Sequence, residues 1–227
     1  MRERAFVHVA GLPGSGKTTF IEAILKSVDG PVLAARCIRD DALRQARETA
    51  PKDHPELRRY KQAGAWDAAL FAFPGNLIGS DAFFVSNLMM EYSTAVLLEG
   101  DDPVGFVGLR VFVAPPLAAG VELFVWPRHP GTANRQKVAI AERYAGIQHA
   151  QMVIVNVRGA HGRRGGEQIV TDIVRLRKDE ELFNDILRFR GSKLPITAVV
   201  ANLADPRDPG RKKALARARR ALRPKKW

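Results

Sequence analysis

The clearest chemistry in this 227-residue sequence lies in nine residues near its start, Gly11-Leu-Pro-Gly-Ser-Gly-Lys-Thr-Thr19. Their spacing, Gly11-x-x-x-x-Gly16-Lys17-Thr18, is that of a loop that cradles phosphate. Glycines let successive backbone N–H groups curl around phosphate oxygens, and a helix that begins where the loop ends adds the positive end of its dipole. Gly11, Pro13, Gly14, Ser15, Gly16, Lys17, Thr18 and Thr19 are therefore expected to hold a nucleoside triphosphate. Lys17 is placed to reach the β- and γ-phosphates as the catalytic cation, and Thr18 to offer its hydroxyl to Mg2+. The motif leaves the base and the reaction open.

A magnesium ion held by a loop threonine needs a carboxylate from the end of a neighbouring strand. Glu99 and Asp101, directly after the apolar run at 94–98, are the best placed. Asp40, with Asp41, ends another apolar run and is a further candidate, for the ion or for orienting an attacking water. Asn202-Leu203-Ala204-Asp205 resembles the guanine-reading Asn-Lys-x-Asp, whose aspartate accepts from guanine hydrogens that adenine lacks. Leu203 stands where that motif has lysine, and is read as covering the base face. The alternative is a turn in which Asp205 caps a helix across Pro206. Two Arg- and Gly-rich loops, 127–131 and 158–166, either offer a guanidinium to a transferring phosphoryl group or are solvated. His8 is read as structural. Cys37 is the single cysteine and the other histidines are scattered, so no transition-metal site is legible.

The elements that must position these residues follow from periodicity. Residues 5–10 form a short apolar strand leading into the loop, and Phe20, Ile21, Ile24, Leu25 and Val28 share one side of the helix after it. Asp29-Gly-Pro31 ends that helix. Further apolar strands are expected at 32–38, 68–73, 94–98, 152–157 and 196–201, with helices at 81–92, 133–147, 167–190 and 210–222. Residues 42–64 are polar and read as helical pieces; 104–113 and 121–126 are β-rich, as a hairpin or as two sheet strands. Strands alternating with helices predict an α/β fold with a mostly parallel sheet covered on both faces. With the glycine-rich loop this is the three-layer P-loop NTPase fold, carrying a β-rich extension. Ligands of such sheets sit beyond the carboxyl ends of the strands. Asp40, Glu99, Arg158 and Asn202 should therefore share one edge.

Composition adds bounds. The chain is 46% hydrophobic and 26% charged, which excludes collagen, coiled coil and wholesale disorder. One nucleotide-binding domain is expected over 1–205, with 102–150 as an extension or insertion. No apolar run approaches the ~20 residues that span a bilayer, and the start lacks a signal peptide's apolar stretch, so a cytoplasmic location is expected. The net charge of +12 is uneven: residues 206–227 hold ten of the 36 Lys and Arg but one of the 24 Asp and Glu. This basic helical tail either binds nucleic acid or an acidic surface, or docks on the body through Leu215, Ala218 and Leu222.

Together these pieces resemble the P-loop NTPases of the SIMIBI class, which includes cofactor-assembly GTPases, and above all the MobB-like adaptors of molybdopterin-guanine dinucleotide synthesis. Gly11–Thr19 followed by Phe20-Ile-Glu22 carries the resemblance. So does Asp53-His-Pro-Glu-Leu-Arg-Arg-Tyr-Lys-Gln-Ala-Gly-Ala65, similar to that family's Arg-x-x-x-Ala-Gly-Ala stretch, and Val96-Leu-Leu-Glu-Gly100, similar to its strand ending in Glu-Gly. Where the family has a Lys-His pair after the second strand, this chain has Arg36-Cys-Ile-Arg-Asp-Asp41. The Cys/His metal motifs of the urease and hydrogenase maturation relatives are missing. The resemblance implies Mg2+-dependent hydrolysis of GTP (or ATP) by a switch or cofactor-assembly factor, paired across its nucleotide face as a homodimer or with a protein partner. Two other readings stay open. One is an ATP-dependent small-molecule or nucleotide kinase with Arg128, Arg135 and Arg163 as a lid on two phosphates; the other is a nucleic-acid binder working through the basic tail.

Overall fold

Strands that are apolar at every position cannot leave a face to water, and here both faces of the sheet are buried. A computed structural model describes residues 5–11, 13–40, 42, 47–49, 54–73, 95–100, 108–114, 150–157, 163, 166–167 and 197–223. Among them the order is β1 (Phe6–Gly11), α1 (Lys17–Leu25), β2 (Val32–Arg39), β3 (Arg47–Thr49), α2 (Pro55–Gln62), β4 (Asp67–Phe73), β5 (Ala95–Glu99), β6 (Leu109–Ala114), β7 (Met152–Asn156), β8 (Thr197–Ala201) and α3 (Pro209–Leu222).

The strands form one sheet in the order β3-β4-β2-β5-β1-β6-β7-β8. Seven are parallel, and β3 lies antiparallel to β4 at one edge. One face packs on α1, α2 and α3 through a core that includes Val7, Val9, Phe20, Ile24, Leu57, Leu97, Ile154 and Ala218. The opposite face buries Phe6, Leu33, Phe71 and Leu98 in one cluster and Phe112, Val153 and Val155 in another. Gly166 lies against that second face, where an added Cβ would come within 2.8 Å of Val157 and 2.9 Å of Val200. The α/β sheet is thus mostly parallel and buried on both sides.

Two segments differ from the sequence expectation. Arg47–Thr49, inside the stretch expected to be helical, is an edge strand. Its pairing with β4 uses backbone groups and needs no apolar period. The β-rich run ending near 113 is no extension: β6 is a central strand, in register with β1 from Val7↔Leu109 to Gly11↔Val113. The strand expected at 121–126, the helices expected at 81–92 and 133–147, and all but the first residue of that at 167–190 lie outside the described residues.

Each helix has a local cause. α1 buries Phe20, Ile21, Ile24 and Leu25 at helical spacing, each worth roughly 1.5–3 kcal/mol. α2 starts at Pro55, with the His54 ring accepting from the amide of Glu56 at 3.3 Å, and Gly64 follows at φ +106° to end it. α3 starts at Pro209, capped by Asp208, which accepts from the amide of Arg211 at 2.9 Å. The basic helix docks on the body: Gly210, Ala214, Ala218 and Leu222 are buried, with Leu215 at the margin.

Candidate nucleotide site

β1 lies between β5 and β6, so the loop that follows it opens at the carboxyl edge of the sheet. Gly11, Gly14 and Gly16 take φ of +147°, +72° and +100°, a region that favours glycine. A Cβ on Gly11 would stand 2.2 Å from the Val113 carbonyl oxygen, and one on Gly16 would stand 2.6 Å from Nδ2 of Asn156. No side chain caps α1 and no acidic residue occupies its first turn. The amide of Phe20 bonds Gly16 O at 3.0 Å and is the first donor of the helical ladder. Lys17 Nζ donates to Gly11 O at 2.5 Å, which folds the ammonium back over the loop. Ser15 Oγ is buried within the loop with no hydrogen-bond partner. Positive-φ glycines, a cation and a buried polar atom without a partner fit a polyanionic phosphate chain. Pro13 and Gly14 are exposed, and Leu12 lies outside the described residues.

Two of the metal-ligand candidates, Thr18 and Glu99, lie on α1 and β5. Glu99 is 3% exposed and stands in register with Val9 of β1 and Arg36 of β2. Its Oε2 accepts a hydrogen bond from Oη of Tyr60 on α2. Burial first, and then the charge and hydrogen bond of Glu99, push the Tyr60 hydroxyl well above the usual tyrosine range; Arg36 and Thr18 act in the opposite sense. Arg36 in turn pairs with Glu56 of α2. Tyr60 was not singled out from sequence, although it falls within the stretch similar to the MobB-like one. His8 Nε2 lies 3.0 Å from Gly100 O and so fixes the chain just past Glu99. Asp40 follows β2 at the same edge, but its Oδ1 accepts from the amide of Ala42 at 3.0 Å in a local turn. Asp41 and Asp101 lie outside the described residues.

On the other side of the loop, β7 ends in Asn156, which sequence reasoning passed over. Its Nδ2 donates to Ser15 O at 2.9 Å, and its Oδ1 accepts from the amide of Leu203 at 3.2 Å. The one signal was a polar residue closing the apolar run Met-Val-Ile-Val-Asn. Asn202 follows β8 at the carboxyl edge; its Oδ1 accepts from Ala204 N at 3.1 Å, and Asp205 Oδ1 accepts from Arg207 N at 2.8 Å. Leu203 does not cover a base. It is 1% exposed within the main core and passes beneath Gly16, because its amide is drawn inward by Asn156. Arg163 is bound to the buried Asp208, Nη2 to Oδ2 at 2.5 Å. Arg128, Arg135 and Arg158 lie outside the described residues.

A covered parallel α/β sheet whose central strand enters a helix through this loop is the P-loop fold. No protein-family model matches the chain, and no curated protein sequence matches it. Among solved structures, the crystal structure of HypB from Helicobacter pylori in complex with nickel is similar, at 12% identity and a TM-score of 0.44, over 99% of this chain and 91% of that one. Among the described residues here, no cluster of three His, Cys, Asp or Glu side chains could hold a metal ion, and no helix is long and apolar enough to cross a membrane.

Proposed function

We propose that the chain binds and hydrolyses a nucleoside triphosphate, GTP in preference to ATP, with Mg2+, as a switch or cofactor-assembly NTPase. The observation that carries this reading is the loop itself: positive-φ glycines, the uncapped start of α1, and Lys17 folded across them. In this role Lys17 binds β- and γ-phosphate oxygens, while Thr18 and Glu99, with Asp101, hold the magnesium ion. Magnesium, when bound, neutralises charge on the phosphate oxygens. Asp40 is assigned to orienting the attacking water. GTP is favoured because Asp205, half-buried at the carboxyl edge, uses Oδ1 in its turn and has Oδ2 for a base. The segments 53–65 and 96–100 support an assembly role like that of MobB-like adaptors, with a second copy or a protein partner across the nucleotide face. The ion pair between Arg163 and Asp208 speaks against the kinase reading, which needs that guanidinium for its lid.

Isothermal titration with non-hydrolysable GTP and ATP analogues, with and without Mg2+, tests this. Tighter binding of the GTP analogue, strengthened by Mg2+ and lost in Lys17→Ala, is the expected result. A preference for ATP overturns the assignment of Asn202 and Asp205, and binding of neither overturns the nucleotide reading.

A further inference from the structure

We propose that Tyr60 is the positioning residue of the magnesium pole, its hydroxyl orienting the Glu99 carboxylate. The inference rests on the nucleotide reading above. A tyrosine hydroxyl has one proton to give and lone pairs to receive. Its proton goes to Glu99 Oε2. Thr18 stands on α1, beside which α2 packs, and in the reading above its hydroxyl serves the same magnesium ion. Glu99, with Oε2 fixed, has Oε1 for the same ion. Tyr60 therefore sets the Glu99 carboxylate, as outer hydrogen bonds do in other metal sites.

The scaffold is suited to this. Tyr60 is fully buried beside Leu57 and Ala63 in the main core. α2 is tied to α1, the helix that carries Thr18, by Arg59 Nε to Glu22 Oε1 at 2.7 Å, and to β2 by Glu56 with Arg36. The phosphate cradle is built from other groups, namely loop amides and Lys17. Removal of the hydroxyl alone should thus weaken the response to magnesium and leave magnesium-free nucleotide binding intact.

The test is calorimetric titration of the full chain with a non-hydrolysable GTP analogue, with Mg2+ and with chelator, for wild type, Tyr60→Phe and Glu99→Gln. Tyr60→Phe is expected to keep its magnesium-free affinity within about twofold and to lose roughly 10–100-fold of the gain that Mg2+ gives. An unchanged magnesium gain in Tyr60→Phe overturns the proposal. So does an equal loss with and without Mg2+, which is the mark of a merely structural tyrosine. Should Tyr60→Phe fail to fold by its melting curve, Glu99→Gln carries the test, with the same selective loss expected and an unchanged gain overturning it. A wild type that binds the analogue in neither buffer overturns the nucleotide reading and this inference with it. A wild type that binds equally in both buffers overturns the magnesium pole alone.

Discussion

Asn156, at the end of β7, donates from Nδ2 to the carbonyl oxygen of Ser15 at 2.9 Å, across 141 residues of sequence. With its Oδ1 accepting from the Leu203 amide, one buried side chain joins the phosphate loop to the turn after β8. Asn156→Ala leaves a carbonyl and an amide buried without partners, at a cost of about 1–3 kcal/mol. Urea unfolding should show a lowered midpoint, and the GTP analogue should bind more weakly because Ser15 is no longer held.

Two glycines of the loop should respond differently to the same substitution. Gly11→Ala drives a methyl group to 2.2 Å from Val113 O in the β1–β6 ladder, at φ +147°. It should cost roughly 3 kcal/mol or more. Gly14→Ala has the strain of φ +72° but meets nothing within 4 Å, so about 1–2 kcal/mol is expected. Denaturation midpoints at constant m-value separate the two.

The basic helix must be tested by charge reversal, not by truncation. Deleting α3 removes Ala214, Ala218 and Leu222 from the core, and the shortened chain should lose cooperative unfolding. Lys212, Lys213, Arg220 and Arg223 are exposed and, among the described residues, have no ion pair. Such a ridge should bind single-stranded oligonucleotides with a Kd of about 10⁻⁴–10⁻⁶ M at physiological salt. Lys212→Glu with Arg220→Glu should flatten the salt dependence while the melting temperature stays within a few degrees. Undetectable binding by the wild type excludes this role.

Tyr60 sets a limit on alkaline stability. Its folded-state pKa is raised, so the fold favours the protonated phenol. The contribution is fully present below the unfolded tyrosine value of about 10 and is lost as pH rises beyond it. In metal-free protein, wild type should lose up to about 1.4 kcal/mol per pH unit more than Tyr60→Phe above that pH. Parallel stability curves for the two proteins would refute the linkage.

Six of the eight strands were legible from sequence as apolar runs bounded by Gly, Pro or acidic residues, and β6 as a β-rich run, but without its central place. β3 was not, because three polar residues with no period are held by backbone pairing alone. The stripe of α3 was displaced by one residue at one position, Leu215 for Ala214. Hydropathy gives the larger side chain more weight, but close approach decides: a Cβ on Gly210 would stand 1.9 Å from Val200 O. The phosphate loop was readable because its residues are contiguous. Tyr60 and Asn156 were not, since their partners lie 39 and 141 residues away and no local pattern announces such contacts.

The central place of β1 bears on how the chain is made. Val7 is in register with Leu97 on one side and Leu109 on the other, and the core it enters is completed by Ala214, Ala218 and Leu222 of α3. A nascent chain on the ribosome thus leaves part of the core around β1 and α1 uncovered until α3, nearly two hundred residues further on, has been added. Holding factors at the exit tunnel have more to protect here than in a protein whose early strands pair with each other.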